Sequence, residues 1–482
     1  MAANGGTPFK KNIILQIAYQ ILNTCLPLIT APYLARTLGP EGLGIFSYTM
    51  SVVSYFTLFA MMGTINYGTR YIASVRNDTA KVNRIFGEIY CLQVLCSLVA
   101  VFLYIIYLFF FCKDNQIIAF IQCISIINCF LDISWLFFGL ENFKFTVYSG
   151  FAIRVCTVIC ILVFVNTSDD LPIYTFIMLF STTLTQVILW SHAKNILHMV
   201  SIKWTDVRRH IYPNLILFIP LLAMSVYHSM DKTMLGILST YLQSGYYYNV
   251  DKVVNIPLGI IVGIGTVMLP RMSNLLSSNH YKEAKEEFEF SLEMIVFLSA
   301  AMSFGISAIA REFVPIFFGP GYDDCVLLCI ILSPVLIIKG ISNTIRVQYL
   351  IPMKKEHIFI ESVAIGAIIN FIINLMLIPA GGALGAIVGT LLAELAACIW
   401  QIFSLRTELS IFNLCKKGGA YVLAGMVMYI GVRLFSTSID LNEWKIFFEV
   451  PLGGFIYLII CLLYWQFFRK SLFVKIKNFI HV

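Results

Sequence analysis

Charged residues interrupt several long apolar stretches of this sequence, at positions that hydrocarbon would surround. Five of them are basic, namely Arg154, Lys232, Lys252, Lys339 and Arg346. A full charge costs roughly 2.5–3.5 kcal/mol at the centre of a transmembrane helix, so such residues usually face a partner or a water-filled cavity. Their chemistry is anion binding, and the planar guanidinium group of arginine suits phosphate in particular.

Three polar residues of one stretch, Lys339, Asn343 and Arg346, recur at helical spacing and share a face. No acidic residue accompanies the two cations on that face, which predicts a basic surface for an anionic ligand. For Arg346 the alternative is that its long side chain snorkels to the nearby membrane surface. For Lys232 and Lys252, which directly follow Asp231 and Asp251, the alternative is charge neutralisation between neighbouring helices.

Acidic residues also fall within the apolar stretches. A buried carboxylate can take up a proton or a sodium ion, which is how ion gradients are coupled to transport, although a hydrogen-bonded structural acid is an equal alternative. The hypothetical ion-coupling residues are Asp132, Asp231, Asp251, Glu361 and Glu394. H⁺ or Na⁺ is therefore the expected coupling ion, and we expect no metal site and no other cofactor.

Uncharged polar side chains form further stripes at spacings of three and four residues. Such stripes mark the face that a helix turns to a cavity, or else the close-packing contacts between helices. The predicted cavity-lining residues, suited to sugar hydroxyls, are Gln16, Gln20, Asn23, Asn128, Tyr248, Asn255, Asn343 and Asn370. The glycine pairs Gly259 with Gly263 and Gly385 with Gly389 are better explained by helix packing.

The composition establishes what must hold these residues. Of the 482 residues, 59% are hydrophobic and only 12% are charged, with a mean hydropathy of +0.84. Soluble domains carry about a quarter charged residues, so this is an integral membrane protein, and nucleic-acid modules and secreted disulfide scaffolds are excluded. The 13 cysteines lie mostly inside apolar stretches and predict no disulfide.

Apolar runs long enough to cross a bilayer number about fourteen. Continuous runs favour helices over barrel strands, whose side chains would alternate. The predicted fold is an all-α membrane protein with spans at 12–34, 43–66, 86–111, 116–139, 145–166, 171–192, 211–236, 246–269, 290–311, 325–348, 357–379, 383–404, 418–436 and 446–468.

The basic residues orient these spans. With the N-terminus in the cytoplasm, 23 of the 33 Lys and Arg residues fall in cytoplasmic segments, 5 in outer segments and 5 within spans. Because cytoplasmic segments of membrane proteins are enriched in Lys and Arg, this asymmetry predicts that both termini are cytoplasmic. The net charge of +7 is explained by this distribution, without a nucleic-acid partner.

An internal repeat with an offset of 201 residues organises the chain. It maps Gly44 on Gly245, Phe46 on Tyr247, Arg70 on Arg271, Lys81 on Lys282 and Arg84 on Lys285. A parallel repeat of this kind predicts two six-helix bundles with a cavity at their interface. We therefore predict an N-terminal lobe at 1–205, a C-terminal lobe at 206–412 and two additional transmembrane helices at 413–482.

Several segments resemble the polysaccharide repeat-unit flippases of the Wzx type, within the multidrug/oligosaccharidyl-lipid/polysaccharide exporter superfamily. The first is Tyr33–Tyr48, which resembles the signature around the first helix of that family. The others are Trp135–Phe143, Asp231–Gly236 with Gly245–Tyr247, Gly265–Arg271 and the tract Gln348–Pro379. Their order and spacing together cover about the first 400 residues.

The resemblance implies a flippase that moves an undecaprenyl-diphosphate-linked oligosaccharide from the inner to the outer leaflet of the bacterial cytoplasmic membrane by alternating access. The polymer could be O-antigen, capsule or exopolysaccharide. A polysaccharide polymerase and glycosyltransferases are the implied partners, with membrane lipid as the surroundings. From the charges of this sequence, the hypothetical diphosphate contacts are Arg36, Arg154, Lys232, Lys339 and Arg346.

Three other functions compete with this one. A multidrug or cation exporter of the same superfamily would share the repeat, but it would favour acidic over basic residues in its spans. A lipid II flippase would also fit fourteen helices. An enzyme such as a glycan polymerase is disfavoured because the outer loops are short, and the absence of a G-x-x-x-x-G-K-[ST] motif argues against ATP hydrolysis. We therefore expect a transporter and not an enzyme.

Overall fold

The structure is a computed structural model in which the backbone is described for residues 7–198, 200–409, 411–438 and 444–469. The side chains of 7–27, 143–145, 147–148, 220, 226 and 411–417 lie outside the described set. The predicted cavity residues Gln16, Gln20 and Asn23 are among these.

Helices account for nearly all of the described residues, and no strand occurs among them. Two shorter turns, a 3-10 helix at Ser168–Asp170 and a π-helix at Arg346–Leu350, interrupt the series. The helices are α1 Thr7–Met61, α2 Thr64–Val75, α3 Thr79–Phe110, α4 Gln116–Leu131, α5 Ser134–Gly139, α6 Phe143–Phe164, α7 Leu171–Ala193, α8 Trp204–Arg208, α9 Ile211–Leu238, α10 Tyr241–Ser277, α11 Tyr281–Phe318, α12 Asp324–Leu332, α13 Val335–Ile345, α14 Glu356–Ser404, α15 Ile411–Ser438 and α16 Lys445–Phe468.

The described residues contain 10 helical segments that are long and apolar enough to cross a membrane. This confirms an all-α, multi-pass membrane protein. The count of fourteen spans and the division at 205 and 412 remain predictions. By its own contacts the chain divides into one unit at Met1–Gly245 and a second at Tyr246–Val482.

The longest helix of the second unit, α14, folds back on itself at Gly382. That glycine has φ of 51° and ψ of −128°, outside the helical region. The Gln401 amide donates a hydrogen bond of 2.9 Å to the Ser362 hydroxyl, 39 residues earlier in the chain. A straight helix would hold these residues about 58 Å apart. The two halves therefore form an antiparallel hairpin, as two separate predicted spans at 357–379 and 383–404 require.

Aromatic and ionic contacts join α15 and α16 to α11 within the second unit. Trp465 donates through its indole nitrogen to the Tyr421 hydroxyl at 2.8 Å. Tyr421 in turn donates at 2.8 Å to the carboxylate of the buried Glu293, which also pairs with Arg469. The C-terminal helix pair is thus packed into the core of this unit through satisfied polar groups.

Close packing inside the α14 hairpin gives a test of the fold. A Cβ at Gly385 would lie 2.5 Å from the backbone of Leu377, whereas a Cβ at Gly381 would meet nothing within 4 Å. Because a backbone atom cannot swing aside, we expect Gly385→Ala to lose about 1–3 kcal/mol of stability. Gly381→Ala is the matched control and should cost nothing. Apparent melting temperatures in detergent check this, and equal values for both variants would contradict the hairpin.

Candidate functional site

One end of α13 and the π-helix that follows it carry the basic face predicted from the sequence. The Arg346 guanidinium donates a hydrogen bond of 2.7 Å to the Oδ1 atom of Asn343 and lies 5.0 Å from the centroid of the Phe359 ring. No carboxylate among the described residues pairs with it. Arg346 is half-buried and keeps an uncompensated positive charge, which is the arrangement an anion requires.

Helix α10 passes close to Asn343, the residue that accepts the hydrogen bond from Arg346. A Cβ at Gly265 would lie 3.2 Å from the Nδ2 atom of Asn343 and 3.7 Å from Val347. Arg346 also begins the π-helix, and wide turns of this type are frequent at functional sites. We call Asn343, Arg346, Phe359 and Gly265 the Arg346 site.

Lys339, on the same face, has a different environment. Its Nζ atom lies 3.3 Å from a carboxylate oxygen of Glu394, and the two side chains are 19% and 10% exposed. The expectation that Lys339 lacks an acidic neighbour is wrong, and Glu394 is likewise not an unpaired acid. The sequence could not predict this pair because Glu394 lies on a different helix, in the second half of α14. The pair is electrically neutral, so Arg346 supplies the excess charge of this face.

The remaining predicted cations lie elsewhere. Arg36 is exposed near the end of the first half of α1, before the kink at Gly39. Arg154 on α6 and Lys232 on α9 are half-buried and engaged in contacts. All three belong to the first unit, whereas Lys339 and Arg346 belong to the second. In that second unit, Lys252 lies 4.0 Å from the ring of Tyr248.

Four of the five proposed ion-coupling acids make defined contacts with neighbouring residues. Asp132 accepts a hydrogen bond of 2.9 Å from the backbone N–H of Ser134, the first residue of α5. Asp251 accepts one of 2.7 Å from the amide of Asn255. Glu361 is exposed and accepts one from the indole of Trp400, and Glu394 pairs with Lys339. Asp231, the fifth, is 5% exposed.

Two of the proposed cavity asparagines make hydrogen bonds inside the protein. Asn128 donates to the carbonyl of Leu179 and to the hydroxyl of Thr182, and accepts from that of Thr183, which joins α4 to α7. Asn370 is fully buried in the α14 hairpin and accepts from Asn374 at 3.1 Å. Tyr248 is half-buried, and Asn255 is exposed.

Sequence reasoning missed a buried ionic cluster in the first unit. Glu88 on α3 is completely buried and accepts hydrogen bonds from Arg84 at 3.0 Å, Arg209 at 2.6 Å and His210 at 2.8 Å. The other ring nitrogen of His210 lies 2.7 Å from the Tyr67 hydroxyl. The spacing of Arg84 and Glu88 by four residues was the available signal. This cluster ties the start of α9 to α2 and α3.

A second feature of the first unit is the tight contact of the second half of α1 with the end of α9 and the start of α10. A Cβ at Gly44 would overlap the carbonyl oxygen of Tyr241, and one at Gly245 would overlap that of Pro40. Further along, Ser51 and Thr233 share a hydrogen bond of 2.8 Å, and Ser54 donates one of 2.9 Å to Ser229. Glycines and hydroxyl groups thus close this seam, which we call the glycine seam.

An apolar groove of about 390 Å³ also lies in the first unit. It is formed between α1 and α3 and is lined by Tyr55, Phe56, Phe59, Met62, Leu95, Cys96, Val99, Ala100 and Leu103. Phe59 and Val99 are more than half exposed, so the groove is open along the side of the helices. Its dimensions and lining suit a hydrocarbon chain.

Comparisons with known proteins agree with this architecture. The family described as "Polysaccharide biosynthesis protein" matches residues 9–276. The "Putative O-antigen transporter" of Escherichia coli (strain K12) is 26% identical over 405 residues, which cover 83% of this chain and 97% of that protein.

Two solved structures share the fold. The lipid II flippase MurJ in an inward closed conformation superposes with a TM-score of 0.75 at 16% identity, over 94% of this chain and 99% of that one. An inward-facing multidrug resistance MATE family transporter of the MOP superfamily gives a TM-score of 0.61 at 12% identity, over 84% and 99%. At these identities the likeness concerns the fold alone.

A double-mutant cycle tests the pair between Lys339 and Glu394. Lys339→Met alone leaves a buried carboxylate, and Glu394→Gln alone leaves a buried ammonium group, whereas the double variant leaves neither. We expect an interaction energy of about 0.5–3 kcal/mol from unfolding in detergent. The matched control is the exposed pair of Asp78 and Lys81, whose cycle should give close to zero. Additive effects at Lys339 and Glu394 would refute the pairing.

Proposed function

This chain belongs to the family described as "Polysaccharide biosynthesis protein", and we propose that it is a Wzx-type flippase of the MOP superfamily. The cargo is an undecaprenyl-diphosphate-linked oligosaccharide repeat unit. It moves from the inner to the outer leaflet of the cytoplasmic membrane by alternating access. The similarity to an O-antigen transporter over nearly the whole length of that protein supports this cargo.

The observation that carries the proposal is the uncompensated charge of Arg346. A diphosphate presents several oxygen acceptors, and a guanidinium group binds two of them at once. In the proposed complex Arg346 contacts the diphosphate, with Asn343 orienting the guanidinium group. Lys339 would reach an anion only after parting from Glu394. Arg36, Arg154 and Lys232 are further proposed contacts, contributed by the first unit.

The rest of the substrate needs different surroundings. The groove lined by Phe59 and Val99 is proposed for part of the polyprenyl chain, because apolar contacts replace those that the chain makes with lipid. Sugar hydroxyls need hydrogen-bonding partners, for which Tyr248, Asn255 and Asn343 are proposed. Asn370 is buried within α14 and reaches a sugar only if the hairpin opens.

The glycine seam supports a rocking mechanism. The repeat offset of 201 relates Pro40 to Tyr241 and Gly44 to Gly245. Gly44 lies against the carbonyl of Tyr241, and Gly245 lies against that of Pro40, so the contact is reciprocal. A reciprocal contact between equivalent residues is what a two-fold axis produces. We therefore propose that the seam is a contact between repeat-equivalent residues that opens and closes during the transport cycle.

Energy and orientation complete the proposal. A proton or sodium gradient would drive the cycle, with Asp231, which is buried on α9, as one proposed coupling acid. The distribution of Lys and Arg supports cytoplasmic termini. A polysaccharide polymerase and glycosyltransferases would act after and before the flipping step.

The charge of Arg346 can be tested in a deletion strain that carries complementing variants. Losing charge-assisted hydrogen bonds costs about 1.5–3 kcal/mol, so Arg346→Ala should slow export by roughly ten-fold to a hundred-fold. Arg346→Lys keeps the charge without the fork and should retain part of the activity. The matched control is Arg406→Ala, which removes an exposed arginine stacked at 4.0 Å on Phe403.

The readouts are surface polysaccharide, lipid-linked intermediates and protein level. Loss of polymer with repeat units accumulating on the cytoplasmic side supports the proposal. Wild-type export by Arg346→Ala at equal protein level would refute the role of Arg346. Unchanged polymer with altered resistance to cationic compounds would indicate a drug exporter, and accumulation of lipid II would indicate a lipid II flippase.

The glycine seam gives a separate prediction. Gly44→Ala places a methyl group against the Tyr241 carbonyl, whereas a Cβ at Gly42 makes only an ordinary contact of 3.5 Å with Leu38. We expect Gly44→Ala to hold the seam open, to speed amide hydrogen exchange in peptides covering 40–55 and 229–245, and to reduce export. Gly42→Ala should exchange like the wild type. Equal exchange in the two variants would show that the seam does not need this close approach.

A further inference from the structure

A carboxyl group is buried without any hydrogen-bond donor in the second unit, outside the regions proposed for the substrate. Glu449 lies on α16, one turn after the helix begins, and its side chain is completely buried. Neither of its carboxyl oxygens has a hydrogen-bond partner among the described residues. An ionised carboxylate in such a place would carry a large desolvation cost with nothing to offset it.

Two polar side chains close to Glu449, those of Arg433 and Ser436, already donate hydrogen bonds to another carboxylate. Glu312 on α11 accepts from Arg433 at 3.0 Å and 2.8 Å, and from the Ser436 hydroxyl at 2.9 Å. Arg433 also donates to the carbonyl of Ala308 at 3.0 Å. Arg433 of α15 therefore forms its ion pair with Glu312.

The groups that face Glu449 come from all three helices. They are Glu312 on α11, Arg433 and Ser436 on α15, and Lys445 on α16, which donates to the backbone carbonyl of Ser436 at 3.3 Å. Ser436 has a single hydroxyl proton, which it donates to the Glu312 carboxylate. Toward Glu449 the Ser436 oxygen is consequently an acceptor. An ionised Glu449 would be repelled by the lone pair of the Ser436 oxygen, whereas a protonated Glu449 can donate a hydrogen bond to that oxygen.

We propose that Glu449 is a proton-binding site, held in a chain in which its carboxylic acid donates to the Ser436 hydroxyl and that hydroxyl donates to the Glu312 carboxylate. Proton uptake converts one carboxylate into one carboxylic acid and needs no other reactant. When the proton leaves, a second buried carboxylate faces Glu312 without a hydrogen-bond donor of its own, which weakens the packing of α16 on α11 and α15. In the predicted topology this end of the three helices is on the outer side of the membrane, so the site exchanges protons with that compartment.

The test uses the purified full-length chain in detergent or lipid nanodiscs, with no lipid-linked glycan present. Its outcome is thus independent of the proposed cargo. A hydrophobic carbodiimide adds to protonated carboxyl groups and leaves a mass tag that peptide mass spectrometry locates. We expect a tag on Glu449 whose yield falls as pH rises, and none on Glu312. Glu449→Gln should lose the tag and keep the fold, because its amide can donate to Ser436 as the acid does.

Ser436→Ala separates this proposal from a merely structural role. Removing the acceptor weakens the protonated form, so the midpoint of the tagging curve should move to lower pH by about one unit. Infrared difference spectra after a pH jump give a second reading, in which the carbonyl band of a neutral acid should be present in the wild type and absent in Glu449→Gln. This reading does not depend on access of the reagent.

Three results would overturn the proposal. The first is the absence of both the tag on Glu449 and the neutral-acid band that Glu449→Gln removes. The second is a tag whose yield is constant over the whole accessible pH range and is unaffected by Ser436→Ala. The third is protection of Glu449 by sodium at constant pH, which would make the group a sodium ligand instead.

Discussion

Hydrocarbon offers no water to a charged side chain, and this constraint governs the polar interior of the protein. Glu293 meets Arg469, Glu312 meets Arg433, and Lys339 meets Glu394, each pair drawn from different helices. Breaking one such pair would strand a charge that costs several kcal/mol. Two groups depart from this pattern in opposite ways. Among the residues that the structure describes, no carboxylate pairs with Arg346 and no hydrogen-bond donor reaches Glu449.

The sequence predicted the features that depend on neighbouring residues in the chain, and not those that depend on contacts between distant helices. Hydrophobic runs are local signals, so the sequence correctly predicted the helical class and several helix boundaries. Helix α9 begins at residue 211 as predicted, and α7 spans Leu171–Ala193 where the prediction was 171–192. The predicted span at 116–139 matches a single apolar span at Gln116–Gly139, but its helix is interrupted at Asp132, between the end of α4 and the start of α5. A polar residue inside an apolar run can therefore end a helix instead of serving an ion.

Partnerships between helices could not be predicted in the same way. Helical periodicity groups residues that share a face, as it did for Lys339, Asn343 and Arg346, but it says nothing about what a neighbouring helix brings to that face. Glu394 and the engagement of Asn128 by α7 are both contributions of this kind. Three-dimensional contacts were required to show that Lys339 pairs with a carboxylate whereas Arg346 bonds to the neutral Asn343, because the two cations look equivalent in the sequence.

The same constraint indicates which contacts a transport cycle can break. The glycine seam is held by close backbone approach and by hydroxyl pairs, and water can replace each of these hydrogen bonds at little cost when the seam opens. Ion pairs such as that of Glu312 with Arg433 cannot separate into hydrocarbon without stranding two charges. Motion should therefore concentrate where glycine, serine and threonine meet, while α11, α15 and α16 move together as one packed group. Loss of the proton from Glu449 is the one change identified in that group that would loosen it.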